Sequence, residues 1–471
     1  MDDKVLFKDV QPGVTPVMPT APGVVPPATP QPPVSVVTAS HKPLKKLLIG
    51  IVIVLVVTFL IVLLIPKGKL TQKTKLVWWG LWEDSRVMQG VISDFERAHP
   101  TITIEYSKQD PNQYRDRLTA RIKNGSGPDL FRFHNTWYPM LTDALVPLPS
   151  DVITPTEFKK TFYPVIQSDL IHNGALYGIP LGADTMSLFV NTDLLKAATV
   201  SAPTNWDDFV KAAKKLTVRD GNGKIQTAGA ALGLYANITH APDIMSLLFM
   251  QQGVDMTKFA NPEQARDEAD ALDFYTSFTK STESTWDDTL DESLMAFARG
   301  NLAMYFGYSW DIFTIQKLNP DLHFSISPVP TLYGKNSTMT SYWVEGVSTR
   351  SLHPKEALLF MHYLSQKQTA QKFYAEAAKV RGFGEPYARI DLAASLKGNQ
   401  LLSPFVSQLS NAKSSIFASD THDEEGGLNA SANTYLQGAI NSIFTQNTSP
   451  DSAVATLAPG ILQVLQKYGI Q

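Results

Sequence analysis

Three tryptophans fall within five positions of the segment KLVWWGLWED: Trp78, Trp79 and Trp82, with Glu83 and Asp84 following at once. Indole rings are large, flat and apolar, so they either fill a core or are held out against a flat partner. Neighbours in a strand point to opposite faces, so one of Trp78 and Trp79 is expected in the core. Trp82 lies past Gly80, beyond the run. The adjacent acids Glu83–Asp84 and Asp287–Asp288 are of the residue type a glycosidase uses. That chemistry needs two carboxyl groups facing each other across a bond, which adjacency in sequence does not supply. The chain has no His-Glu-x-x-His, no Gly-x-Ser-x-Gly and no Walker loop. It has no cysteine, which excludes disulfides, thiolate metal sites, a cysteine nucleophile and a lipidated cysteine anchor. The segment RDGNGK (219–224) lacks the spacing and closing Glu of a calcium loop and is expected to be a hairpin turn. THDEEGG (421–427) is expected to be a solvated loop, the alternative being a rim contact to a solute. No metal and no cofactor is expected.

These side chains must be positioned by a chain of 471 residues, enough for two lobes with real cores. With 44% hydrophobic residues, 18% charged residues and a net charge of −3, it carries no broad basic field for nucleic acid. Residues 47–65, LLIGIVIVLVVTFLIVLLI, contain no charge. As a helix this run is roughly 28 Å long, about one hydrocarbon thickness. The residues preceding it, and IPKGK after it, argue against a cleaved signal peptide, so an uncleaved single transmembrane anchor is expected. Lysines flank both ends (Lys42, Lys45 and Lys46; Lys67, Lys69, Lys73 and Lys75), so charge does not set the orientation. Ten of the 31 prolines lie in residues 1–43, which marks 1–46 as a proline-rich disordered tail. Residues 66–73 read as a polar linker.

From residue 74 the pattern is α/β. KLVWWG is a short strand. DSRVMQGVISDFERAHP places Val87, Met88, Val91, Ile92, Phe95 and Ala98 at helical spacing, with His99-Pro100 as the stop. TITIEYS alternates as a strand, NQYRDRLTARIKNG is a second helix, and PDLFRFH is a third strand. This order predicts a parallel sheet covered by helices, whose ligands sit beyond the carboxyl ends of the strands. Trp82, Glu83, Asp84, His134, Asn135 and Trp137 fall at such ends. In PTNWDDF, Thr204 is expected to cap a helix, with Trp206 stapled to its lobe.

Six segments in this order carry a resemblance. LVWWGLWEDSRVMQGVISDFERAHPTITIEY is the first, IKNGSGPDLFRFHNTWYPMLTDALVPLPSD the second and NGALYGIPLGADTMSLFVNTDLL the third. APTNWDDFVKAAKKLT, FARGNLAMYFGYSWDI and SPDSAVATLAPGILQVLQKYG follow. Together they resemble the extracellular solute-binding proteins of ABC importers, the group that includes maltose-binding protein and related carbohydrate binders. The resemblance implies a two-lobed periplasmic-binding-protein-like α/β fold with solute held in the cleft between lobes. It would place lobe 1 at about 74–183 and 326–350, and lobe 2 at about 184–325 and 351–471. It implies that the large C-terminal part lies outside the cytoplasm, with ABC permease subunits as partners. The transmembrane anchor departs from relatives that are free or lipidated.

The resemblance also implies site residues. Asn135 stands where maltose-type relatives carry a polar sugar contact, Asp184 where they carry an acidic one, and Trp310 in FGYSWD where they carry an aromatic plate. The alternatives are a hinge carboxylate capping backbone N–H groups for Asp184 and a lobe-core ring for Trp310. Trp82, Glu83, Trp137, Tyr308, Trp343, Glu345 and Arg381 complete the candidates. Aromatic faces suit the C–H face of a sugar, and planar polar groups suit its hydroxyl rim. The expected function is capture of a carbohydrate, an oligosaccharide above all, for an importer, without catalysis. A membrane-anchored carbohydrate-active enzyme using paired carboxylates and a solute sensor are the alternatives.

Overall fold

The computed structural model describes residues 50–58, 73–280, 282–424 and 426–470. The chain divides into two units, Met1–Leu70 and Thr71–Gln471. In the first unit, residues 50–58 are helical, and Ile51 to Val57 leave their apolar side chains exposed. Thr58 Oγ1 donates to the Val54 carbonyl at 2.6 Å, as a hydroxyl does within a helix. The rest of the 47–65 run, the tail 1–46 and residues 66–72 of the linker lie outside the described residues. Among the described residues no helix is long and apolar enough to cross a membrane.

The second unit opens with the predicted alternation. Strand Thr74–Gly80 pairs in parallel with Ile102–Lys108 and with Leu130–His134. Between them run helices Ser85–Ala98 and Tyr114–Lys123. The first helix buries Val87, Met88, Val91, Ile92 and Phe95, and Asp84 caps it by accepting from Arg86 N. The sheet is completed by Trp343–Val347 and Ile179–Pro180, both antiparallel to their neighbours. A second five-stranded sheet has the order Phe324–Ser327, Ser187–Asn191, Leu302–Gly307, Ile225–Ala230, Val218–Arg219. A small third sheet joins Asp184–Thr185, Thr338–Ser341 and Ala412–Lys413. Each large sheet has its own buried apolar core, so the unit is two-lobed. Crossing segments lie at 180–187 and 327–343.

Several boundaries differ from expectation. Residues 351–471 were expected to follow the second lobe entirely. Instead Pro354–Ser365 and Lys367–Arg381 cover the first. Phe360 lies 5.2 Å, centroid to centroid, from Trp78, and Lys372 pairs with Asp94 of helix Ser85–Ala98 at 3.4 Å. The reason is local: Trp343–Val347 lies inside the first sheet, between Leu130–His134 and Ile179–Pro180, so the chain leaving it emerges on that lobe and must cover its face. Of the expected 326–350 return, Trp343–Val347 belongs to the first sheet, while Phe324–Ser327 closes the edge of the second. The cap of helix Trp206–Leu216 is Asn205, accepting from Asp208 N at 2.9 Å, and not Thr204. Trp206 is core, donating to Gln251 Oε1 at 2.8 Å. Residues 219–224 do form a hairpin turn, closed by Asp220 N to the Lys224 carbonyl.

Candidate functional site

A cleft of about 370 Å³ opens between the lobes, within the range of small-molecule sites. Trp82, Trp343, Arg381 and Glu385 line it from the first lobe, and Thr239, Leu294, Trp310 and Asp311 from the second. Gly182, Ala183 and Asp184 of one crossing and Ser341 and Tyr342 of the other form its back. Asp420 and His422 close one side.

The first-lobe wall is built in layers. Trp82 follows the end of strand Thr74–Gly80, and its ring stands edge-on to Trp343 at 5.4 Å and 5.2 Å from His422. Trp343 leans in turn on Trp137 at 5.5 Å and His134 at 5.1 Å. Behind them, Arg132 and Glu345 occupy paired positions of adjacent strands. Arg132 Nε donates to Glu345 Oε1 at 2.6 Å, and its guanidinium also pairs with Glu83. Trp78, in the core, donates from Nε1 to Glu345 Oε2 at 2.7 Å. The buried guanidinium is thus paired with two carboxylates inside the wall.

The second-lobe wall is one plate on another: Trp310 lies parallel to Tyr308, centroids 4.3 Å apart and planes 12° apart. Tyr308 is fully buried and donates to Asp243 Oδ1 at 2.8 Å. Asp311 Oδ2 accepts from Tyr308 N at 3.0 Å and Tyr305 OH at 2.9 Å, and meets His240 Nε2 at 2.9 Å. This convergence requires Gly307, where a Cβ would stand 2.5 Å from the Tyr305 ring. Burial disfavours the charged His240 ring. Attraction to Asp311 outweighs it and lifts the His240 pKa to about 9.

At the back, both oxygens of the Asp184 carboxylate take backbone donors, Thr185 N and Ser309 N, each at 2.8 Å. It therefore bridges a crossing strand to the second lobe. Burial raises its pKa to about 7 against those hydrogen bonds. Asn135 donates to Asp169 Oδ2 at 3.0 Å and to Ser414 Oγ at 2.9 Å. Tyr342 OH donates to the same Asp169 oxygen at 2.6 Å, so Asn135 braces a wall residue from behind.

The fold thus brings Trp82, Asp184, Trp310, Trp343 and Arg381 to one cleft. Glu83, Asn135, Trp137, Tyr308 and Glu345 are buried behind its walls and do not line it. The acid pairs face no common bond: Glu83 is held by Arg132 while Asp84 caps a helix, and Asp287 accepts from Thr289 N. Residues 421–427 are not the expected solvated loop. Thr421 and Asp423 are buried, and Asp423 accepts from Asn429 N at 2.6 Å and Ala430 N at 3.1 Å in the first turn of helix Leu428–Gln446. Sequence reasoning passed over Thr239, Leu294, Tyr342 and Glu385. Tyr342 had a signal, because it adjoins Trp343 in the strand returning to the cleft. Thr239 had none, because it sits in an irregular loop.

The family described as bacterial extracellular solute-binding protein matches residues 90–387, more than half of the chain. The chain belongs to this family. Among curated relatives, this solute-binding protein is 20% identical over 320 residues to the multiple sugar-binding protein of Streptococcus mutans, covering 62% of this chain and 71% of that one. It is 24% identical over 295 residues to an uncharacterized lipoprotein of Streptomyces antibioticus, covering 58% and 62%. A 128-residue match at 28% identity to a binding protein of Brucella abortus spans 27% of this chain and 31% of that protein. Two solved structures show the same fold. The sugar-binding protein MalE of Xanthomonas citri aligns with a TM-score of 0.67 at 19% identity, over 84% of this chain and 98% of that one. An ABC substrate-binding protein of Listeria monocytogenes, solved with cycloalternan, aligns with a TM-score of 0.63 at 17% identity, over 85% and 100%.

Proposed function

We propose that this solute-binding protein captures an oligosaccharide outside the cytoplasm and delivers it to an ABC importer, tethered by one transmembrane helix at residues 47–65. The observation that carries the reading is the cleft itself: tryptophan faces from both lobes, Trp82 and Trp343 against Trp310, with polar groups set between them. Flat apolar walls suit sugar rings, and Asp184, Asp311, Glu385, Asp420 and Arg381 suit hydroxyl rims. Neighbours of the same fold solved with maltotetraose, cycloalternan or mannobiose support the ligand class. Hinge closure about the crossings at 180–187 and 327–343 traps the solute. Trp82, Asp184, Trp310, Trp343 and Arg381 contact it, while Glu83, Asn135, Trp137 and Tyr308 hold those contacts in place. The sugar leaves unchanged, a reading supported by the family and by neighbours of the same fold, which are solute-binding proteins.

A thermal-shift screen of the full chain against oligosaccharides tests this, because a ligand bound only by the folded state raises the melting temperature. At least one oligosaccharide should raise it in proportion to the logarithm of its concentration, with no product formed. Stabilisation by peptides or polyols alone sinks the sugar reading; time-dependent product lost in a carboxylate variant sinks the binding-only reading. For the tether, a cysteine at Ser126 should react with an impermeant maleimide on whole cells and one at Thr20 should not.

A further inference from the structure

Away from the two crossings, the lobes also meet at the side of the cleft that Asp420 and His422 close. The segment 420–424 belongs to the second lobe. Phe417 and Ala418, just before it, lie in that lobe's core, and Ser419 N donates to Asp243 Oδ2 at 2.8 Å. Its contacts, and those of the helix after it, reach the other way. The His422 ring stands 5.2 Å from that of Trp82. Glu424 Oε1 accepts from Gln113 N, at the head of helix Tyr114–Lys123, at 2.5 Å. Leu428 N donates to Met140 Sδ at 3.3 Å, and Thr136 Oγ1 donates to Asn429 Oδ1 at 2.7 Å. Trp82, Gln113, Thr136 and Met140 all stand on the first lobe, whose core holds Tyr114 and Trp137 beside them.

The backbone is strained on both sides of this contact. Asp420, His422 and Glu424 have φ of 53°, 50° and 65°, and Gln113 has φ of 53°. In this left-handed region an L residue brings its Cβ too close to the following carbonyl oxygen. Asp and His tolerate the region better than most residues, whereas Glu and Gln are not among those that favour it. Yet Glu424 and Gln113 are the pair that hydrogen-bond across the lobes. Strained residues persist where their surroundings over-determine them, and they cluster at clamps and switches. Here the surroundings of each strained residue include the opposite lobe.

We propose that segment 420–424 is a latch that holds the two lobes closed in the absence of solute. The contacts across the lobes hold the strained backbone. Opening breaks them and lets that backbone relax, which leaves two discrete states, latched and released. Solute enters on release and is trapped when the latch re-forms. Glu424 and Gln113 therefore act on affinity through the closed fraction, not by touching the solute. The proposal rests on the hinge closure of the reading above, and its test needs no solute.

Double electron–electron resonance on the full chain in detergent reads the two states. The chain has no cysteine, so spin labels go only where cysteines are placed. Ser85→Cys lies just past Trp82 on one wall, and Leu318→Cys ends helix Asp311–Leu318, which starts at the other; both positions are exposed. Without solute, the protein with an intact latch should show a majority at the shorter distance. Glu424→Ala removes the acceptor and should lower the ratio of short to long distances by about tenfold, the loss of one hydrogen bond to a charged group. Thr136→Val should lower it severalfold, and it decides the matter if Glu424→Ala does not melt as a folded protein. Long distances alone in the solute-free intact protein, or a short population that the deciding variant leaves in place, overturn the latch and leave the proposed function standing. Failure of that function shows separately, in the thermal-shift screen.

Discussion

Two histidines stand behind the two aromatic walls, both fully buried, and they titrate in opposite directions. His134, behind Trp343, meets Thr136 Oγ1 at 2.8 Å and Ser341 Oγ at 3.0 Å. Burial drives its pKa down to about 3, so it is neutral at all ordinary pH. His240, behind Tyr308 and Trp310, is as buried, yet its pKa stands at about 9. The difference is a carboxylate: Asp311 reaches His240, whereas His134 meets two hydroxyl groups and the Thr136 N–H. Burial sets how much a charge costs, and the partner decides whether that cost is met. The first lobe keeps its charge one layer deeper, where Arg132 lies between Glu83 and Glu345.

Removing that deeper charge should have the largest effect. Arg132→Met leaves two buried carboxylates without a cation, and urea unfolding should show a loss of about 3–5 kcal/mol. A loss under 1 kcal/mol would mean that the first wall does not depend on its ion cluster. Next in size, Trp310→Ala should weaken oligosaccharide binding by about 30- to 150-fold, the equivalent of about 2–3 kcal/mol for a central aromatic contact, with little change in melting temperature. Near-normal affinity with a loss of about 3–5 kcal/mol of stability would make the ring a core element instead.

The histidine contrast itself can be broken. Asp311→Asn removes the carboxylate from His240, and NMR titration should find its pKa below 6.5 in place of about 9. In the unaltered protein the raised pKa adds stability that is fully present below pH 6.5 and is lost as pH rises through about 9. The Asn variant should lose this alkaline dependence. The opposite limb tests the other histidine. Between pH 6.5 and about 3 the unfolded chain protonates His134 while the folded one does not, so acid lowers stability there. His134→Gln should narrow its stability gap to the unaltered protein as pH falls from 7 to 4. A gap that stays constant would show that His134 is charged when folded.

Much of the first lobe was legible because its signals are local. Val87, Met88, Val91, Ile92 and Phe95 keep helical spacing, and all five are buried in helix Ser85–Ala98. The WWGLW segment divides as strand alternation requires, with Trp78 in the core and Trp82 past the glycine at the cleft. What failed was non-local. Nothing between 351 and 381 indicates which lobe its helices cover, because an apolar helical face packs equally well on either sheet.

The candidate site divides the same way. Residue type and family resemblance bring Trp82, Asp184, Trp310, Trp343 and Arg381 to notice, and all five meet at one cleft. They do not reveal that Glu83, Asn135, Trp137 and Tyr308 stand one layer behind, since depth at a wall depends on partners more than 30 residues away in the chain. Glu83 is drawn in by Arg132, 49 positions later, and Tyr308 by Asp243, 65 positions earlier.

The sequence by itself determined the apolar run before the folded part, the α/β alternation, the aromatic supply and the absence of thiol chemistry, because each depends on residue type and short-range period. Only the tertiary structure decided which tryptophans face the cleft and which histidine finds a carboxylate. Those outcomes rest on long-range pairings, and a side chain's charge, depth and freedom are set by the groups that folding brings to it.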